Sequence, residues 1–242
     1  MNIIGINAFH ADSSACLIID GVLISAVEEE RFNRIKHWAG FPIESIKYCL
    51  KESNLKISDI DHISLNIDPK ANYFKKVLFL IKHRPSLKLI FNRLKKKNKY
   101  NSIKEIIDNE FKDNIFKGQI TNIEHHFAHL SSAFHVSPYE ESCVLSVDGF
   151  GDFASTAWGY ANGTKIQIDN KIHFPHSLGI FYQAITQYLG FKNYGDEYKI
   201  MGLAPYGKPT YVEQLKKILL IKKDGKFELN LDYFKFHKEN FN

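Results

Sequence analysis

The sequence has few cysteines and no long apolar run, and both absences exclude classes of protein. Its three cysteines, Cys16, Cys49 and Cys143, lie far apart and match no metal-binding or redox spacing, so we interpret them as reduced thiols that mainly fill core space. The longest apolar runs, such as VLFLI at 77–81, are too short to span a bilayer, and the N-terminus lacks a signal-peptide pattern. We therefore expect a cytoplasmic protein with no membrane span.

Acidic residues are missing from the segment 70–104, which carries twelve Lys or Arg. The whole chain has a net charge of +5, so the remainder has a net charge of −7. Apolar residues at helical spacing on both sides of Pro85 predict two basic amphipathic helices. Alternative interpretations are a solvated helical insertion, a surface for nucleic acid or anionic membrane, and a collar that attracts phosphorylated substrates. Nucleic acid is not expected as a partner, because no nucleic-acid motif accompanies the charge.

The order of apolar patterns predicts a mixed α/β fold. Apolar runs at 3–7, 15–20 and 22–30 predict a β-meander, since Asp20-Gly21 between the last two is typical of a tight hairpin turn. Helical patterns and further apolar runs alternate along the rest of the chain. We predict helices from Pro42, near 102–112, at 125–135, and at about 177–190 and 209–220, and strands at 59–67, 119–123, CVLSVD and the two runs after it.

Two histidines have the spacing of a metal clamp. His125 and His129 are four residues apart in a helical pattern, which places both imidazoles on one helix face. Asp148, at the end of the apolar run CVLSVD, is the natural oxygen ligand, and three protein ligands would leave positions open for substrate. His126 is an alternative to His125. Structural histidines are more common than ligands, so the spacing alone does not establish a metal site.

Two glycine-bearing loops and one charged loop are further candidates. The turn at 148–152 has the composition of a phosphate-binding hairpin, although a ligand-free turn explains it too. The run 195–207 places two carboxylates beside Lys199, which suits a metal and phosphate environment or a surface ion pair. His10, in a loop after the first strand, has a charge state suited to proton transfer. The charged group at 28–37 is either a solvated edge or an anion-binding lip.

These motifs also occur in a recognisable order. The blocks GINAFHADSSACLIIDGVLISAVEEERFNRIKH (5–37), EHHFAHLSSAFHVSP (124–138), LSVDGFGD (145–152) and GDEYKIMGLAPYG (195–207) resemble the N-terminal part of carbamoyltransferases of the NodU/CmcH family. The resemblance implies an ASKHA domain, of the actin and sugar-kinase type, similar to the tRNA threonylcarbamoyl-transferring protein. We expect its first half here, a mixed sheet with helices and a basic helical insertion at about 70–112.

The same resemblance implies the chemistry. Carbamoyl phosphate and ATP would form carbamoyl-adenylate on a YrdC-like domain, and the ASKHA-like part would move the carbamoyl group to a hydroxyl of a small-molecule or sugar-containing acceptor. A divalent metal, expected to be Fe(II), would be held by His125, His129 and Asp148, while zinc or manganese also suits such ligands.

The remaining roles implied by the resemblance are less specific. His10 would take the proton from the attacking hydroxyl, and Lys36 and Lys199 would neutralise phosphate or carbamoyl oxygens. Gly149, Gly151 and Gly202 would offer backbone contacts to the nucleotide.

Length is the main departure from that family. Its chains are much longer, so we interpret residues 1–242 as an N-terminal part, with the second ASKHA half and the YrdC-like domain lying outside it or supplied in trans. Other hypotheses are a non-catalytic binding module that uses residues 70–104, an ASKHA kinase or ATPase, and a tRNA threonylcarbamoylation-type protein. The block at 195–207 favours carbamoyltransferase.

Overall fold

The computed structural model describes residues 1–88, 90–91, 102–112 and 114–238. Part of the predicted basic insertion, including Lys95, Lys96 and Lys97, lies outside these residues. The chain divides into two compact units, Met1–Pro69 with Phe91–His125, and Lys70–Ile90 with His126–Asn242. No described helix is both long and apolar enough to cross a lipid bilayer.

The helices and strands are numbered in chain order. The helices are α1 (Glu30–Asn33), α2 (Ile43–Glu52), α3 (Tyr73–His83), α4 (Ile103–Glu110), α5 (His125–Phe134), α6 (Leu178–Tyr188), α7 (Glu197–Leu203) and α8 (Val212–Leu215). The strands are β1 (Asn2–Asn7), β2 (Ser14–Ile19), β3 (Val22–Glu28), β4 (His62–Leu65), β5 (Gln119–Asn122), β6 (Glu141–Gly151), β7 (Ala154–Asn162), β8 (Lys165–His173), β9 (Leu219–Ile221) and β10 (Phe227–Leu229). Short 3-10 helices occupy Ile57–Asp59, Ala204–Tyr206 and Leu231–Tyr233.

The first unit is built on a five-stranded mixed sheet in the order β3-β2-β1-β4-β5. The predicted meander is confirmed: β1, β2 and β3 pair antiparallel, and both residues of the Asp20-Gly21 turn have positive φ. Strands β4 and β5 continue the sheet in parallel to β1. Alternate residues such as Ile4, Ile6 and Ile63 point into a core to which α2 and α4 also contribute apolar side chains. The predicted mixed α/β class is therefore confirmed.

The second unit contains the antiparallel sheet β6-β7-β8. Helix α5 packs Leu130 and Phe134 against one face of this sheet, where Val144 is buried. The apolar run CVLSVD predicts a buried strand, and this is wrong for the other face of β6, because Leu145 and Val147 are exposed. Apolar residues thus occupy both faces of β6, and the described residues leave Leu145 and Val147 on one of them exposed.

Four other sequence predictions, three for this unit and one for the cysteines of the whole chain, have different outcomes. The predicted helix at 177–190 is confirmed as α6, but the predicted helix at 209–220 is wrong beyond the four residues of α8, because β9 pairs with β10. The turn after Asp148 lies at Asp152 and Phe153, both with positive φ, and not at a glycine. Cys143 is exposed, so of the cysteines only Cys49 is fully buried as expected.

The basic segment begins with a confirmed helix. Helix α3 ends at His83, and Arg84, in a left-handed conformation, caps it before Pro85. Its one buried side chain is Phe79, whose ring lies 4.8 Å from Phe174 and 5.7 Å from Phe153 between centroids. Phe79 therefore provides the buried aromatic contact of the helix, while Asn72 at its start donates to the Asp152 carbonyl at 2.8 Å. The second predicted basic helix extends into residues 92–101, outside the described part of the chain.

Candidate functional site

Helix α5 and strand β6 bring the three predicted metal ligands together. His125 begins α5, His129 follows one turn later, and Asp148 lies near the end of β6. One ligand atom from each residue lies within 4.8 Å of the other two, and His129 Nε2 is 3.5 Å from Asp148 Oδ2. His125 is buried and His129 is exposed, so the three-residue group has a protected and an open side. We call His125, His129 and Asp148 the triad.

A backbone carbonyl orients the first histidine of the triad. Nδ1 of His125 is 3.2 Å from the carbonyl oxygen of Asn66. Because a carbonyl only accepts, Nδ1 carries the proton in this contact, and the neutral ring has its lone pair on Nε2. Metal-binding histidines are commonly oriented by such a contact through the second ring nitrogen.

His126, the alternative ligand, has a different environment. Its side chain is fully buried, and Nδ1 lies 2.9 Å from the hydroxyl oxygen of Ser146 on β6. This contact joins α5 to the sheet beneath it. Among the described residues, the group that could hold a metal ion contains His125 and not His126.

The loop that carries His10 lies beside His125. The two imidazole centroids are 6.3 Å apart, and His10 is exposed. The Ser13 hydroxyl contacts the carbonyl oxygens of His10 and Gly40 at 3.0 and 2.8 Å, which holds the loop closed. The structure thus places the predicted proton acceptor near one member of the triad.

Asparagine side chains connect this loop with the strand end beside His125. Asn7 Nδ2 donates to the carbonyl oxygens of Ala11 and Asp12 at 3.1 and 3.0 Å, and its Oδ1 accepts from Asn66 Nδ2 at 3.3 Å. The strand ends of β1 and β4 therefore position both the His10 loop and the carbonyl that contacts His125. The sequence pattern did not reveal this arrangement, which depends on the parallel pairing of two strands far apart in the chain.

The start of helix α6 is hydrogen-bonded to the backbone of Asp148. The Ser177 hydroxyl donates to the Asp148 carbonyl at 3.0 Å and accepts from the backbone N–H of Ile180 at 3.0 Å, so it caps the helix as well. A Cβ atom at Gly179 would lie 2.7 Å from the backbone nitrogen of Gly149. Only glycine allows the helix to approach the Asp148-Gly149 peptide so closely.

The predicted phosphate-binding glycine Gly149 has open space beside it. A Cβ atom built on Gly149 would meet no atom within 4 Å, and its backbone N–H donates to Asp148 Oδ1 at 2.6 Å. Gly151 ends β6, where it pairs with Ala154 across the turn. Both predicted glycines thus lie in the hairpin that carries Asp148.

The charged group after β3 contains both buried and exposed members. Glu29 is buried and accepts hydrogen bonds at the start of α2, and Glu28 forms a surface ion pair with Arg31 at 3.1 Å. His37 Nδ1 lies 2.8 Å from Asp12 Oδ1. Lys36, a predicted site residue, is exposed. Of the two interpretations left open for residues 28–37, a solvated edge does not describe Glu29, which is buried.

The predicted residues Lys199 and Gly202 lie on α7. Lys199 forms an ion pair with Asp196 at 2.6 Å, and this pairing lowers the pKa of Asp196 and raises the pKa of Lys199. Gly202 is exposed, and a Cβ atom on it would meet no atom within 4 Å. Helix α7 is thus stabilised at its start by an ion pair and is open around its glycine.

Comparisons with known proteins identify the family. The family described as carbamoyltransferase N-terminus matches residues 2–241. The uncharacterized protein sll1178 of Synechocystis sp. is 39% identical over 250 residues, which cover 97% of this chain and 40% of that protein. The nodulation protein NolNO of Sinorhizobium fredii is 37% identical over 205 residues, which cover 84% of this chain and 29% of that protein.

Solved structures show a looser likeness. YeaZ from Pseudomonas aeruginosa is 10% identical, with coverage of 72% of this chain and 68% of its own and a TM-score of 0.39. The chain spans well under half the length of the two sequence relatives above. The family match itself extends over nearly every residue and agrees with the resemblance read from the four sequence blocks. The chain belongs to the carbamoyltransferase N-terminal family.

Proposed function

We propose that this chain is the metal-holding part of an O-carbamoyltransferase. In this proposal a carbamoyl group passes from carbamoyl phosphate, by way of an ATP-dependent carbamoyl-adenylate, to a hydroxyl of a small-molecule or sugar-containing acceptor. The observation that carries the proposal is the triad, which places two imidazoles and one carboxylate within ligand reach of one point. Family membership supplies the reaction class.

The triad fits a divalent metal by its donor chemistry. Two histidines and one carboxylate form the ligand set of many non-haem Fe(II) sites, in which other positions stay open for substrate. The carbonyl of Asn66 sets the tautomer of His125 that leaves Nε2 available as a ligand atom. Zinc or manganese would also accept these ligands, and we propose Fe(II) as the resident ion.

The bound ion would polarise a carbonyl or phosphoryl oxygen of the donor. Residues of this chain would transfer the proton, neutralise negative charge and contact the nucleotide. An imidazole nitrogen of His10 would accept the proton of the acceptor hydroxyl while the hydroxyl oxygen bonds to the carbamoyl carbon. The bond between the carbamoyl carbon and the adenylate phosphate oxygen would break, and AMP would leave. Lys36 and Lys199 would neutralise negative charge on phosphate or carbamoyl oxygens. The backbone N–H groups of Gly149, Gly151 and Gly202 would contact the nucleotide.

Adenylate formation is assigned in this proposal to the part of the enzyme outside this chain. The relatives are much longer than the region matched here, which supports a division of labour between parts. That remaining part would be connected to this chain or supplied in trans.

Metal content is the test of the proposed site. Protein purified under anaerobic conditions is analysed by mass spectrometry as wild type and as the His125→Ala and His129→Ala variants. We expect nearly stoichiometric iron in the wild type and its loss in both variants. His135→Ala is the matched control, because His135 is exposed just after the same helix and lies outside the triad.

Two results would overturn the proposed site. Full iron occupancy in His129→Ala would remove the ligand assignment. A folded wild-type chain that takes up no iron, zinc or manganese would show that these three residues do not hold a metal in this chain.

A further inference from the structure

A run of exposed residues begins in the last turn of helix α7 and continues beyond it. Every residue from 201 to 214 is exposed, and we call this run the apolar segment. It includes Met201, Leu203, Tyr206 and Tyr211, each with more than half of its surface accessible and Tyr206 with 89%. The apolar segment therefore leaves its large side chains uncovered within this unit.

The composition of the apolar segment is unusual for a surface in contact with water. It has two charged residues, Lys208 and Glu213, among fourteen. Protein interfaces are enriched in tyrosine and methionine and depleted of lysine and glutamate, which is the composition found here. The apolar segment has the chemistry of a contact surface.

The energetics lead to the same conclusion. Helices in proteins gain most of their stability by burying an apolar face, and neither the 3-10 helix Ala204–Tyr206 nor α8 buries any residue. Helix α7 also has no buried residue, and it is held to α6 by a hydrogen bond of 2.9 Å from the Tyr182 hydroxyl to the Glu197 carbonyl. The segment is thus positioned on the unit but lacks a covering layer.

We propose that the apolar segment docks against the polypeptide that the longer family members carry beyond the region matched here. The family model describes an N-terminus, and the chain spans 40% of one relative and 29% of another, so a large partner region exists in those proteins. The inference rests on the proposed function only for the identity of that partner. The apolar segment would be the surface through which the remainder of the carbamoyltransferase, connected or in trans, contacts this chain.

Tyrosine nitration tests the docking directly. Tetranitromethane is applied to the chain alone and to a fusion in which the remainder of the Synechocystis relative follows residue 242, and nitration rates are read by peptide mass spectrometry. We expect Tyr206 and Tyr211 to react at least about tenfold more slowly in the fusion, because docking removes them from solvent. Tyr73 and Tyr139, exposed in the same unit, are the controls and keep their rates.

Variants in the apolar segment make the test specific. In the fusion, Met201→Ser with Tyr206→Ser should return the nitration rate of Tyr211 to that of the chain alone. The same pair of substitutions should also abolish co-purification of the remainder when it is co-expressed with the tagged chain as a separate polypeptide. The control Tyr139→Ser should retain co-purification.

Three results would overturn the inference. Equal nitration of Tyr206 and Tyr211 in both proteins, together with no co-purification by the wild-type chain, would exclude the partner proposed. Equal co-purification by the wild type and the Met201→Ser, Tyr206→Ser variant would exclude the surface. Protection of both tyrosines in the chain alone as its concentration rises would assign the surface to a second copy. Iron content, measured on the same samples, tests the triad separately.

Discussion

The carboxylate of Glu29 accepts hydrogen bonds from both the backbone N–H and the hydroxyl of Ser45, each at 2.8 Å. The backbone N–H of Glu44 donates to the other carboxylate oxygen at 3.2 Å. Glu29 is buried, and it satisfies donors at the first turn of α2, for which Pro42 provides no side-chain cap. A residue that follows β3 therefore caps a helix that begins fourteen positions later in the chain.

Loss of this carboxylate should destabilise the first unit. Glu29→Ala leaves buried donors without their acceptor, so we expect the free energy of unfolding to fall by about 1–3 kcal/mol. Urea denaturation followed by circular dichroism measures the change. Glu28→Ala is the control: its surface ion pair with Arg31 contributes at most about 1 kcal/mol. Equal losses in the two variants would contradict the capping role.

The sequence predicted the features that depend on neighbouring residues. Alternation and the Asp20-Gly21 turn specify the meander, and helical spacing identified the His125 and His129 pair. The role of Glu29 was not predictable, because its partner Ser45 is sixteen residues away and any of three consecutive glutamates could have been the buried one.

Long-range pairing explains the predictions that failed. Residues 209–220 have a helical pattern, but Leu219–Ile221 pairs with Phe227–Leu229, and strand pairing overrides the local preference. The run CVLSVD is apolar on both faces, yet a pattern does not tell which faces find a covering layer within the chain. Asp148 was placed in the triad by position and family resemblance, and the packing of α5 on β6 brings it to the histidines.

Gly179 should be essential for the position of Asp148. A Cβ atom at this position would lie under 3 Å from backbone atoms of Asp148 and Gly149, which cannot move as a flexible side chain would. We expect Gly179→Ala to lower the free energy of unfolding by about 1–3 kcal/mol. Because the displaced peptide carries Asp148, metal content should fall as well.

Gly202→Ala is the matched control for that substitution. It also replaces a helical glycine, but the new methyl group would meet no atom within 4 Å. Its helix propensity should improve, with a stability change between zero and a gain of about 1 kcal/mol. A loss in Gly202→Ala as large as that in Gly179→Ala would show that the close approach to Gly149 is not the cause.

Phe79 should determine whether α3 stays docked. Its ring is the one buried side chain of that helix and packs edge-on against Phe174 and Phe153. Phe79→Ala removes a contact that is worth about 3–5 kcal/mol when fully buried, so α3 should open more often. Limited trypsin digestion should then cut at the lysines of 75–82 faster than in the wild type. Leu80→Ala, which alters an exposed residue of the same helix, should not change the rate.

His176 should make the second unit less stable in mild acid. Burial lowers the pKa of His176 below the ordinary 6.5, and its Nδ1 accepts a hydrogen bond of 3.1 Å from the backbone N–H of Leu229. Only the neutral ring, with its proton on Nε2, can accept this hydrogen bond. Below pH 6.5 the unfolded chain binds more protons at this residue than the folded one, so stability rises with pH through that window and is fully present above it.

Substitution of His176 by asparagine separates the effect of ring protonation from the effect of the hydrogen bond to Leu229. The Oδ1 atom of asparagine can accept from the Leu229 N–H without titrating, so His176→Asn should flatten the dependence of the urea midpoint on pH between about 5 and 6.5. Burial also lowers the pKa of His83 and of His237, and these residues should maintain part of the slope. His135→Asn, at an exposed position, should leave the slope as in the wild type. An unchanged slope in His176→Asn would mean that its protonation is not linked to unfolding.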